Sequence, residues 1–173
     1  IASGANLGAN ATSAATTSIT LGAGNDVLVN GGTSAPTVTG AVFDGGDGND
    51  TVAASLINAG NAAQFKNFEI LGLDLTSSGA TYDTTLLTGA AGLALLANAA
   101  SGNTVTYTGV KASQGLTVAK TLTAGGVTAL GFESAVLAGT SDSYTVSFAG
   151  TGTTSATATK TVINAGTLTL TGI

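Results

Sequence analysis

The stretch Gly45-Gly46-Asp47-Gly48-Asn49-Asp50-Thr51-Val52-Ala53 fits the nonapeptide pattern G-G-x-G-x-D-x-U-x at every position, with Asp50 as its sixth residue and Val52 as its apolar eighth. An earlier copy, Leu21-Gly22-Ala23-Gly24-Asn25-Asp26-Val27-Leu28-Val29, departs from it only at the first glycine. Glycines at this spacing permit a tight turn that points successive backbone carbonyls inward, and the aspartate adds a charged oxygen donor. The residues after each aspartate alternate enough to leave the turn as short strands. Strands stacked in register bring equivalent turns within about 4.8 Å of one another. A calcium ion, which takes about six to eight hard oxygens, could then bridge two turns.

The two aspartates stand 24 residues apart, against about 18 for an unadorned roll of nonapeptides. A strand over Val27 to Val29, a loop from Asn30 to Pro36 and a return strand over Val38 to Phe43 explain the excess. The Pro36 loop then occupies the place of an opposing metal turn. One bridged site, or a short series, is expected on the aspartate side and none on the Pro36 side. The alternative for each aspartate is a turn residue whose carboxylate caps its own backbone.

Charge follows the same division. Residues 1–65 carry Asp26, Asp44, Asp47 and Asp50 and no base, whereas the five later acids face Lys66, Lys111, Lys120 and Lys160. Four carboxylates so close in sequence repel one another without a counter-ion, so a bound cation should stabilise this part and its removal should loosen it. The absence of arginine and the scatter of the lysines argue against a nucleic-acid surface. The longest mostly apolar run, Gly89 to Ala100, is too short to span a bilayer, so no membrane insertion is expected. Without histidine or cysteine the usual nucleophile–base pairs and zinc sites cannot form. Glu69 and Glu133 read as turn or column residues rather than as a catalytic pair, and the chain reads as non-enzymatic.

Residues 1–18 form an irregular lead-in, 19–57 the calcium-binding coils and 58–173 further coils of what is expected to be one domain. The first part of the stretch from Ala62 to Leu75 could be a helical turn that brings Phe65 and Phe68 onto one face, and Leu71, Leu73 and Leu75 then alternate as a strand. Strands are expected over Tyr82 to Leu87, Thr104 to Tyr107, Leu116 to Lys120, Val127 to Leu130, Tyr144 to Phe148, Thr161 to Ile163 and Thr167 to Thr171. The stretch from Gly92 to Ala100 fits a strand with one helical turn. Phe132-Glu133 repeats Phe68-Glu69, which would place the two phenylalanines at equivalent positions of the stack. With 26 glycines and many alanines and threonines, the fold expected is all-β, a parallel β-solenoid or β-roll with short strands and glycine-rich calcium-binding turns. A β-sandwich would also accommodate threonine-rich strands, but the nonapeptide turn presupposes a stacked neighbour.

At Gly22 to Val29 and Gly45 to Ala53 the chain resembles the RTX family of secreted bacterial calcium-binding proteins. Its Asn/Thr/Ala/Gly-rich coils, with the phrases Phe65-Lys66-Asn67-Phe68-Glu69-Ile70-Leu71 and Gly131-Phe132-Glu133, are similar to the calcium-dependent surface-layer (S-layer) proteins of Gram-negative bacteria. The chain begins at Ile1 without an initiator methionine or basic leader and reads as a piece of such a protein. The resemblance implies secretion, folding on contact with extracellular calcium, and assembly at the bacterial cell surface. Its partners would be copies of itself in a lattice, other domains of the same chain, or a cell-surface glycan. Carried over by position, Asp26 and Asp50 would be side-chain ligands of Ca2+, Gly22, Gly24, Gly46 and Gly48 would offer carbonyls, and Asp44 would serve a neighbouring site. Asp47, at a variable position, would face solvent. An adhesin repeat, or the non-catalytic part of a secreted enzyme, shares these features.

Overall fold

A computed structural model describes residues 6–7, 18–30, 37–97, 99–118, 126–135, 142–148 and 166–171. The Asn30–Pro36 loop lies outside them apart from Asn30, as do the strand expected over Thr161 to Ile163 and nearly all of the lead-in. The chain is an all-β parallel solenoid, and it divides into two compact units.

The first unit comprises Ile1–Asp74 and Leu86–Ala91. Its strands are β1 (Asn6–Leu7), β2 (Ser18–Thr20), β3 (Val27–Leu28), β4 (Val42–Asp44), β5 (Thr51–Ala53), β6 (Phe65–Lys66) and β7 (Ile70–Leu73). Odd-numbered strands pair in the order β1-β3-β5-β7 and even-numbered ones in the order β2-β4-β6, with every pairing parallel. Each coil therefore lays one strand on each of two sheets. Register stacks like on like: Leu28, Val52 and Leu71 are partners and all are fully buried. In the facing sheet Phe43 pairs with Phe65, and their rings stack at 4.8 Å and 18°. That separation is the step between strands, so the stack is a direct consequence of register. Phe68 tilts onto Phe65 at 6.4 Å from the connection between β6 and β7, downstream of a 3₁₀ turn over Ala62–Gln64. Burying each such side chain contributes about 1.5–3 kcal/mol.

The second unit comprises Leu75–Thr85 and Gly92–Ile173. Its strands are β8 (Thr81–Asp83), β9 (Gly92–Leu95), β10 (Thr104–Val110), β11 (Leu116–Val118), β12 (Val127–Phe132), β13 (Asp142–Phe148) and β14 (Gly166–Thr171). The same alternation recurs, with β9-β11-β13-β14 in one set and β8-β10-β12 in the other, all parallel. Leu93 and Leu95 are buried and pair with Leu116 and Val118, so Gly92 to Leu95 is a strand and the helical turn expected nearby is absent from the described residues. Tyr107 is fully buried, and its hydroxyl accepts the Leu75 N–H at 3.0 Å. Phe132 meets the Tyr144 ring edge-on at 4.7 Å. Phe132 is the last residue of β12 and in register with Val110, whereas Phe68 lies between β6 and β7 outside either strand, so the two phenylalanines do not hold equivalent places relative to their strands.

Several expected strands are shorter than alternation suggests: Leu75 falls beyond the end of β7 and Val29 beyond that of β3, and two others show why. The return strand begins at Val42 rather than Val38, because Gly40 takes φ +80° and the Ala41 N–H bonds back to the Val38 carbonyl, closing a turn. The strand at Tyr82 ends at Asp83, whose Oδ1 accepts the N–H and hydroxyl of Thr85 and draws Thr84–Leu86 into a 3₁₀ turn.

Asp74, just after β7, accepts the N–H and the hydroxyl of Ser55, at the 3₁₀ turn following β5. Burial raises its pKa above 3.8, opposed by those two hydrogen bonds and by its own backbone N–H. A carboxyl with a raised folded pKa stabilises the native state fully below the unfolded value, and that contribution is lost as pH rises through the folded value. Asp74→Asn keeps an oxygen acceptor for the Ser55 N–H without the charge. Its thermal midpoint relative to native is expected to be higher at pH 7 than at pH 4, and a pH-independent difference would contradict this account.

Candidate metal centre

The two glycine turns are stacked on each other. Four backbone hydrogen bonds join them: Leu21 N–H to the Asp44 carbonyl (2.9 Å), Asp47 N–H to Gly22 (3.2 Å), Gly24 N–H to Asp47 (2.7 Å) and Thr51 N–H to Asp26 (2.9 Å). The Asn25 side chain adds a fifth tie by accepting the Asn49 N–H at 3.0 Å. Gly24, Gly46 and Gly48 all have positive φ, and a Cβ on Gly46 or Gly48 would stand 2.2 or 2.1 Å from the carbonyl oxygen of Gly22 or Gly24. The glycines let one turn's backbone rest on the next.

This stacking brings Asp26 and Asp50 together. Both are fully buried. Asp26 Oδ2 accepts the Gly22 N–H of its own turn at 3.2 Å, and Asp50 Oδ1 accepts the Asp26 N–H across the coils at 2.7 Å. The capping alternative therefore holds for one oxygen of Asp26. The remaining oxygens, Asp26 Oδ1 and Asp50 Oδ2, are buried without a hydrogen-bond partner. Leaving a buried charged acceptor unmatched is strongly unfavourable, which makes these two oxygens candidate ligands for a cation. Burial is the main cause of a raised Asp50 pKa; the Asp26 N–H opposes it, while the carboxylates of Asp26, Glu69 and Asp44 add to it. The donor set fits calcium in kind, since it consists of hard oxygens.

The other expected site residues are distributed around this pair. Gly22 and Gly24 direct their carbonyls towards the neighbouring turn, and Gly46 and Gly48 lie opposite them there. Asp44 ends β4, where its Oδ1 accepts the Gly46 N–H at 3.1 Å and the Asn67 side-chain N–H at 2.8 Å, so that oxygen caps the turn entrance. Asp47 is exposed. Among the described residues no three acidic side chains converge on one point, so any ion here would be held by paired carboxylates and backbone oxygens. Sequence reasoning missed Glu69 as a member of the group. Its Oε2 accepts the Asp50 N–H at 2.9 Å, repeating one coil later the bond that Asp50 makes to Asp26. The available signal was position: Asp26, Asp50 and Glu69 each directly precede a strand of one sheet, and those strands are in register through Val27, Thr51 and Ile70.

No protein-family model, curated protein or solved structure matches this chain. Among the described residues no helix is long and apolar enough to cross a membrane.

Proposed function

We propose that this chain is a calcium-dependent structural module of a secreted bacterial surface-layer lattice, without catalytic activity of its own. The observation that carries the reading is the pair of fully buried aspartates on stacked glycine turns, each with one oxygen lacking a partner. A parallel solenoid suits a scaffold, because its repeated coils present long, regular surfaces. Calcium supplied outside the cell would lock the two turns together after export. The proposed assembly partners are copies of the same protein or its other domains, with a cell-surface glycan as the anchoring ligand.

A calcium titration followed by circular dichroism tests this. Native protein is expected to gain strand signal and thermal stability with a midpoint of about 0.1–1 mM, within the range of extracellular calcium modules. Asp50→Asn retains an acceptor for the Asp26 N–H and should shift the midpoint upward at least about tenfold. No response at 10 mM calcium would overturn the calcium part of the proposal. Electron microscopy after calcium addition tests the assembly part: ordered two-dimensional arrays support a lattice, and isolated fibrils would replace it with an adhesin.

A further inference from the structure

The turn from Gly45 to Asp50 has a backbone with little stiffness of its own. Gly45, Gly46 and Gly48 supply half of it, and Gly46 and Gly48 both have positive φ, so holding it in one shape costs more conformational entropy than an ordinary loop would. The third coil grips this turn at both ends. At the entrance the Gly45 N–H bonds to the Lys66 carbonyl at 3.0 Å, and the Asn67 side chain donates to Asp44 Oδ1, the oxygen that also accepts the Gly46 N–H. Gly45 packs directly on the Asn67 carbonyl oxygen, which an added Cβ would approach to 1.9 Å. At the exit Glu69 Oε2 accepts the Asp50 N–H, and the Asp50 carbonyl accepts the N–H groups of Glu69 at 3.1 Å and Ile70 at 3.0 Å. Between the two grips the chain passes through Asn67 at φ +54°, the only positive value at a non-glycine among the described residues.

We infer that Glu69 and Asn67 are positioning residues for the calcium centre: they fix the turn from Gly45 to Asp50 in its ion-binding shape in advance, and neither is a ligand. The inference deepens the calcium reading above and rests on it. Asp50 is the link between brace and centre. Its carboxylate accepts the Asp26 N–H across the coils, while its own N–H and carbonyl are both tied to Glu69. Fixing the backbone on either side of its Cα fixes the direction in which the carboxylate leaves the turn. A site ordered beforehand binds more tightly, because less of its freedom is lost when the ion arrives. The third coil carries no glycine turn of its own; it ends the run of metal turns as their support.

Isothermal titration of the full chain with calcium chloride, combined with amide hydrogen exchange of the calcium-free protein, tests the inference. Glu69→Ala is expected to weaken calcium binding at least about tenfold, the size of a lost hydrogen bond to a charged group, and to speed exchange of the Asp50 amide. The Val52 and Leu71 amides of the ladder should keep native protection. Glu69→Gln retains an oxygen for the Asp50 N–H and should restore both the slow exchange and most of the affinity. If Gln does no better than Ala, the charge of Glu69 matters and not its hydrogen bond, and the positioning role is overturned. Native affinity in Glu69→Ala overturns it as well. Should Glu69→Ala lose the ladder protection too, Asn67→Gly decides the matter, since glycine accepts φ +54° and only the bond to Asp44 is removed: affinity should fall at least about threefold, and native affinity would overturn the inference. If native protein binds no calcium, the functional reading itself fails and this one with it.

Discussion

Gly46→Ala is expected to lose about 3 kcal/mol or more of stability in calcium-free denaturant unfolding, and its response to calcium with it. Gly46 has φ +95°, which costs an L-residue roughly 1–2 kcal/mol. The added Cβ would also stand 2.2 Å from the Gly22 carbonyl oxygen and 3.2 Å from its carbon. These are backbone atoms of the neighbouring coil, so no side-chain rotation relieves the contact. Relief requires the turns to separate, breaking the bonds from Asp47 N–H to Gly22 and from Gly24 N–H to Asp47, each worth about 1 kcal/mol. Gly40→Ala is the control, because Gly40 also has positive φ (+80°) but nothing lies within 4 Å of its added Cβ. It should show the backbone cost alone and keep its calcium response. Equal losses in the two variants would mean that the close approach of the turns contributes nothing.

Phe43→Ala is expected to destabilise by about 3–5 kcal/mol, the usual range for a large aromatic removed from a packed core. For a chain of this size that corresponds to a fall of roughly 6–20 °C in thermal midpoint. Phe43 is fully buried and lies at 4.8 Å on Phe65, which in turn contacts Phe68. Removing it opens a void within a column whose spacing is held by backbone bonds, so the neighbouring rings cannot close the gap. Phe132→Ala provides the contrast. Phe132 is only partly buried and meets Tyr144 edge-on, so its loss should be about half as large. A smaller effect at Phe43 than at Phe132 would refute the ring column as the support of the first unit.

Much of this architecture could be read from residue order. The nonapeptide carried parallel stacking, because a turn of carbonyls and one carboxylate is incomplete without a neighbour, and Asp26 and Asp50 are in fact joined across coils. Alternation located Leu116-Thr117-Val118 and Thr104-Val105-Thr106-Tyr107, whose apolar members are buried. It overextended the strand at Tyr82, since alternation records which side chains are apolar and not where Asp83 diverts the backbone into a 3₁₀ turn. Phe132-Glu133 and Phe68-Glu69 look alike as dipeptides but occupy a strand end and the connection between two strands. Glu69 went unrecognised as a partner of Asp50 because no glycine turn precedes it. Its role follows from register with Asp50, which no local motif encodes.

The circuits between register partners differ greatly in length: Thr51 meets Ile70 after a short path, whereas Leu116 meets Val146 only after a much longer one. Ladder bonds thus set the step from coil to coil but leave the girth of each coil free. Segments could be lengthened, shortened or exchanged where the chain leaves the sheets while the ladders keep their pitch. Such a framework can diversify what it displays without renegotiating how it folds.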